Sequence, residues 1–457
     1  MSIQLDWEIE AEHTHVQRGG EDPEAARRRR RARIRILLFL LIVLGLMIAI
    51  VAFVSFRLQA VDSEIEQALR NTVDAEVAAL RLGDLNAFLV TQRSASADWI
   101  QQQTQFFNHV QDLKTTQNIQ LSGEINAVEV DKTRARVAVQ EILNGIPFTR
   151  LWFYWRYEDG WRHVPPDYTF WGESITETRD TITVHAYAVD AAIASTAADS
   201  AAAWLQTTCA ILTCTAPPVI GIEIVPDPAL QTGWTAPDSW VLQMPSPYVN
   251  AARSDQPFDT EMQVATANAL AERMIAAVTG TVPPIYPADA YYLRQALVSW
   301  LVGRFVQINT NAFVINSLAA NYGDAAVGRL AASLLPDSSV ALLTSVTGVS
   351  QLAQANLDWR DFLTWRLVTE DDLIRKQDEG NFLNLYDTRD SAVRNLAYQR
   401  FTLPPTDLRK VVVSAQAEAG LDGTPLLRAT AEIGEGDSAA QIEVRFSMVD
   451  GVWKRAN

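Results

Sequence analysis

Five histidines and two cysteines are the side chains of this chain best suited to metal or nucleophile chemistry, and their spacing decides what each can do. His13 and His15 stand in a polar, acidic N-terminal stretch, where two imidazoles alone hold a metal loosely and a solvated tail is the expected role. His109 and His185 have no ligand or base at an informative spacing, and His163, which follows the Asp159-Gly160-Trp161 turn, is expected to be solvated on a hairpin. Cys209 and Cys214, in TTCAILTCTAPP, supply too few ligands for zinc but suit a short disulfide in an oxidising compartment. The acidic run Thr369–Asp372 reads as a solvated face. No G-x-S-x-G elbow, phosphate-binding G-x-x-x-x-G-K-[ST] or C-x-x-C occurs, and no cofactor is implied.

The elements that must position any chemistry begin with a membrane segment. Seven arginines lie between Arg27 and Arg35, and the next 21 positions, Ile36 to Phe56, hold no charge. At about 1.5 Å per residue this run spans a hydrocarbon core of roughly 30 Å. A cleaved signal peptide has a shorter apolar region, so an uncleaved anchor is expected, with the lipid bilayer as its partner. Basic residues beside a span stay in the cytoplasm, which places residues 1–35 inside and the bulk of the chain outside. The whole chain carries −16, so with +1 on residues 1–35 the outer part carries −17. That charge excludes nucleic acid as a partner. Residues 1–24 read as a disordered tail, long enough to bind a cytoplasmic regulator.

Beyond the span, Ile65, Leu69, Val73, Val77 and Leu80 recur at helical spacing; Gly83-Asp84 ends that helix and LNAFLV starts another. Strand patterns follow, closing with FTRLWFYWRYEDGW, whose two faces are both aromatic. A similar order returns near the C-terminus: a helix from about Trp359 to Lys376, Gly380, NFLNLYD, three strands and MVDGVWKR. Pairing Gly83 with Gly380 reads the two as copies of one α+β unit. The features LRLGDLNAFLV with WFYWRYEDGWR, and DEGNFLNLYD with VRFSMVDGVWKR, resemble the nuclear-transport-factor-like, cone-shaped fold. That resemblance implies a helix-plus-curved-sheet unit and says little about chemistry.

The intervening segment reads as strand (DTITVHAYAV), helix ending near Trp204, strand (PPVIGIEIVPD), a long loop from Asp227 to Phe258, then helices. This order resembles the gluzincin-type zinc metallopeptidase scaffold, in which one helix carries HExxH and the next a glutamate ligand. Here Asn268-Ala269-Leu270-Ala271-Glu272 and Gln295 fall at the matching positions, and no histidine follows His185. The resemblance therefore implies a degenerate scaffold without its zinc site, its small-residue tail NYGDAAVGRLAASLL allowing close helix packing. Trp234 and Trp240 in the long loop are candidates for lining a surviving groove.

The expected architecture is an α+β multidomain chain with one N-terminal transmembrane helix. Its parts are a tail (1–35), a span (36–57), a first cone-like unit (58–172), a mainly helical peptidase-like domain (178–365) and a second cone-like unit (366–457). The expected function is a membrane-anchored, extracytoplasmic, non-catalytic protein that binds a protein, peptide or cell-wall ligand. Two alternatives stay open: an extracytoplasmic hydrolase with an unrecognised site, and a sensor signalling through the tail.

Overall fold

The computed structural model describes residues 23–280, 282–419, 425–436 and 439–457; most of the acidic tail lies outside them. Helix α1, Pro23–Leu82, runs uninterrupted for 60 residues, so the expected boundary at residue 57 falls inside it. The Ile36–Phe56 stretch is exposed on every side, and the helix is long and apolar enough to cross a membrane. Further on the helix becomes amphipathic, and Leu69, Val73, Val77 and Leu80 are buried as their spacing requires.

Gly83, at φ +74°, ends α1, and Asp84 caps α2 (Leu85–Val90) by accepting the Ala87 N–H at 2.9 Å. Helix α3 (Ala97–Thr116) follows, an element the sequence reading left out. The strands β1 (Ile119–Gln120), β2 (Ile125–Asp131), β3 (Arg134–Leu143), β4 (Ile146–Tyr157) and β5 (Gly160–Val164) form an antiparallel sheet. One face packs Val137, Tyr154 and Trp161 against Leu69, Phe88 and Phe107 of the helices. The other face of β4 stacks Phe153 on Trp171 at 6.0 Å, so the doubly aromatic strand is covered on both sides.

A second sheet comprises β6 (Ser174–Arg179), β7 (Ile182–Tyr187), β8 (Ile220–Val225), β9 (Gly233–Trp234) and β10 (Val241–Pro245), in the order β6-β7-β8-β10-β9. β7, β8 and β10 are parallel and the edge strands antiparallel. Helix α4 (Ala191–Leu212) makes the crossover from β7 to β8; it extends two turns past Trp204, so the Cys209–Cys214 disulfide closes its last turn. The expected Asp227–Phe258 loop contains β9, β10 and β11 (Ala252–Arg253), and β11 pairs with β4, stitching this segment to the first sheet.

Helices α5 (Thr260–Thr279), α6 (Asp289–Val306), α7 (Phe313–Tyr322), α8 (Asp324–Ser333), α9 (Leu342–Thr347) and α10 (Arg360–Arg375) come next. At Gly328 α8 lies so close to α4 that an added Cβ would collide with the Ile211 carbonyl. α10 runs through the expected boundary at residue 365 and leads into α11 (Glu379–Asn384), α12 (Ser391–Thr402) and the antiparallel sheet β12 (Lys410–Ala419), β13 (Pro425–Ile433), β14 (Ala440–Val449), β15 (Val452–Arg455). Leu427, Ala429, Val444, Phe446 and Trp453 of this sheet share one continuous core with α4 to α10. The architecture is α+β.

The same local pattern occurs in the first and last units at a spacing of 294 residues (Asp84 to Asp378), three fewer than pairing Gly83 with Gly380 implies. Asp378 caps α11 through the Asn381 N–H as Asp84 caps α2, Gln377 takes the positive φ of Gly83, and Phe382 is as fully buried as Phe88. The last strands agree too. His163 exchanges backbone hydrogen bonds with Thr91 and Arg93, and Arg455 exchanges them with Leu385 and Asp387, all at 2.8 Å. Trp161 and Trp453, two residues earlier, are both buried. The hairpin turns match as Glu158-Asp159 and Asp450-Gly451, so the two Asp-Gly pairs are one residue out of register.

Candidate functional site

A cavity of about 500 Å³ opens between α6, the start of α7, α10 and the edge strand β12. Its walls are mainly apolar, with Phe313, Trp365, Val368, Val411 and Val413 beside the polar Asn311, Arg360 and Arg409, and Val368 and Val413 remain exposed at the surface. The Val412 N–H points off the sheet edge and is accepted by Thr364 Oγ1 at 2.8 Å, which ties β12 to α10 and sets the cavity width.

Two polar side chains, each more than nine-tenths buried, lie at this cavity: Asp361 in the first turn of α10 and Tyr292 on α6. Asp361 Oδ1 accepts the N–H of Phe362 at 2.9 Å and that of Val314 at 3.3 Å, whereas Oδ2 has no hydrogen-bond partner. The Tyr292 hydroxyl lies near the Asp361 carboxylate, outside ordinary hydrogen-bond geometry, and has no other partner. Burial pushes the Asp361 carboxyl up to about 7, opposed by the neighbouring Tyr292 hydroxyl and the backbone N–H groups. Burial, and then the charge of Asp361, also raise the Tyr292 hydroxyl well above its ordinary value. An apolar pocket with two convergent, unmatched polar groups and a displaced carboxyl has the character of a ligand site.

Of the residues named from sequence, Gln295 is exposed and lines this cavity. Asn268 is half-buried on α5 and Glu272 is exposed. The α6 side chain that senses the charge of Glu272 is Arg294, whose guanidinium is lowered chiefly by burial with Glu272 acting against that. Successive helical residues diverge by about 100°, so Gln295 and Arg294 face different surroundings. Ala269 contributes its carbonyl, which accepts the Trp234 indole N–H at 3.2 Å. Trp234 and Trp240 meet edge to face at 5.9 Å beneath the Arg273 guanidinium and pack against the core. Among the described residues no group of three or more His, Cys, Asp or Glu side chains could hold a metal ion.

No family model, curated protein or solved structure matches this chain. Function therefore has to be read from the site.

Besides Thr369, three titratable residues expected at the surface are buried. His163 donates to Glu76 at 2.7 Å, Glu370 pairs with Arg455, and Asp371 pairs with Arg400 and Lys410. Each is held by a partner remote in sequence, which local composition does not reveal. Asp361 and Tyr292 escaped the sequence reading as well. An acid in a first helical turn suits the helix dipole and calls for no other explanation. The remaining signal is its placement on the face shared with Trp365 and Val368, at spacings of four and three.

Proposed function

We propose that this chain is a single-pass membrane protein whose extracytoplasmic part binds a peptide segment without cleaving it. The observation that carries the reading is the pairing of an apolar cavity with two buried, unmatched polar atoms, Asp361 Oδ2 and Tyr292 Oη. A peptide amide supplies both a donor and an acceptor, and an apolar side chain beside it fits between Trp365, Val368 and Val413. Among the described residues no histidine or cysteine lines the cavity. In this reading the middle domain is a degenerate gluzincin-like scaffold between two cone-like units, with Gln295 on the cavity wall. The arginine cluster keeps residues 1–35 in the cytoplasm.

The test is a screen of the detergent-solubilised full chain against unstructured peptides rich in apolar residues. Saturable binding that falls at least tenfold in Val368→Asp supports the reading; equal binding by wild type and variant ends it. One observation favours a hydrolase as the second reading. A carboxyl near 7 beside a tyrosine is suited to proton transfer at neutral pH. Turnover of a peptide, ester or glycoside substrate that disappears in Asp361→Asn would select it.

A further inference from the structure

The first unit contains a separate pocket, built around a histidine instead of an aspartate. Glu76 is fully buried on α1 and accepts three hydrogen bonds, from Gln92 Nε2 at 2.8 Å, His163 Nδ1 at 2.7 Å and Tyr154 Oη at 2.9 Å. Nδ1 is directed at the Glu76 carboxylate, which leaves Nε2 as the ring atom open to another partner. The ring cannot swing. It stacks on Trp152 at 5.3 Å, lies against Tyr154 at 5.1 Å and meets Trp99 edge-on at 5.5 Å.

Among the described residues nothing hydrogen-bonds Nε2, and His163 borders a cavity of about 140 Å³ whose walls include Trp99, Gln103, Phe106, Trp152 and Asn250. Trp99 is itself buried, and its indole N–H has no partner. The site thus brings a ring nitrogen, a buried unpartnered indole N–H and aromatic walls, with the Arg150 guanidinium over Phe106, to a space close to the roughly 150 Å³ that accommodates one benzene ring.

The last unit supplies an internal comparison. Glu370 stands 294 residues after Glu76, as Asp378 does after Asp84, and is likewise buried. Its partner is Arg455, at 2.6 and 2.9 Å, whose guanidinium also donates to the Tyr386 hydroxyl at 3.3 Å. Arg455 holds the backbone position that His163 holds in the first unit. A permanent cation therefore compensates the buried carboxylate in one unit, so compensation alone does not call for an imidazole. The imidazole adds a second ring nitrogen, and His163 borders a cavity.

We propose that the first unit binds a small six-membered-ring compound through a ring hydroxyl. The hydroxyl donates to His163 Nε2 and accepts from the Trp99 indole N–H, while the ring lies among Trp99, Trp152 and Phe106. Phenols and pyranose sugars share this chemistry. The site is remote from Asp361, so it stands or falls independently of the peptide-binding reading.

The test uses the full chain in detergent and fluorine NMR of 4-fluorophenol and fluorobenzene, with empty micelles as the blank. Saturable binding of 4-fluorophenol, at least tenfold tighter than fluorobenzene, is expected. His163→Phe keeps a ring but removes the acceptor and should erase the tenfold preference. Trp99→Phe, which removes only the N–H and the second ring, should reduce it severalfold and covers the case in which His163→Phe does not fold. Displacement by methyl glucopyranoside assigns the hydroxyl to a sugar, and failure to displace assigns it to a phenol. Absence of binding, equal binding of the two fluorinated probes, or a preference unchanged in both variants would overturn the proposal.

Discussion

Replacing Asp361 by Asn separates the cost of burying a carboxylate from the shape of the site. In the folded chain this group is raised to about 7 from an ordinary 3.8, mainly by burial. The folded state therefore holds its proton more tightly than the unfolded state, and stability falls as pH rises between those two values and is level above the upper one. At about 1.4 kcal/mol per unit the full loss is about 4 kcal/mol, and the part lost between about pH 5.5 and pH 8 is about 2 kcal/mol. Asparagine keeps an oxygen for the Phe362 and Val314 N–H groups and never ionises. The advantage of Asp361→Asn over wild type should therefore grow by about 2 kcal/mol from pH 5.5 to pH 8, or about 2–4 °C in Tm for a unit of this size, and then stay constant to about pH 9. Thermal melts of the full chain in detergent, followed by tryptophan fluorescence at the three pH values, measure this. Melting curves of wild type and variant that move in parallel with pH would refute the argument that burial dominates at Asp361.

Removing one member of the buried pair Glu370–Arg455, by Glu370→Leu, should cost about 3–5 kcal/mol, and Glu370→Leu with Arg455→Met should recover most of it, as read from paired urea titrations. Gly328→Ala places a methyl group against the Ile211 carbonyl and should destabilise the chain by about 1–3 kcal/mol or more, seen as a lower Tm. Cys209→Ser opens the short disulfide loop on α4 and should cost about 2 kcal/mol, and reductant should lower the wild-type Tm to match while leaving the variant unmoved.

Local signals in the sequence were read correctly wherever the governing contact was also local. Gly83 and Asp84 announced the break between α1 and α2 because a positive φ and a side-chain cap involve neighbours only. Cys209 and Cys214 were close enough to pair within one turn. Helix α3 was missed because its buried positions Trp99, Gln103, Phe107 and Val110 include a glutamine and stand among further polar residues, which weakens the apolar period. β9 and β11 have two residues each, too short for any alternation to register. The local pattern shared by the first and last units is marked by the cap aspartates Asp84 and Asp378 and not by glycines, because Gln377 takes the positive φ that Gly83 has. His163 and Asp361 owe their burial to partners 87 and 47 or more positions away, a distance over which one sequence carries no signal.

The unbroken length of α1 has a mechanical consequence. No glycine or proline interrupts it between Phe56 and its first fully buried residue, Leu69, so the stretch between bilayer and folded body has none of the usual sites of a kink. With the apolar run seated in a bilayer, the segment from Leu46 to Leu82 is a lever of about 54 Å, and an average tilt of about 20° sweeps its far end by about 18 Å. In such a bilayer a change of tilt would carry the first unit with it, because the same helix holds Glu76 in the unit's core.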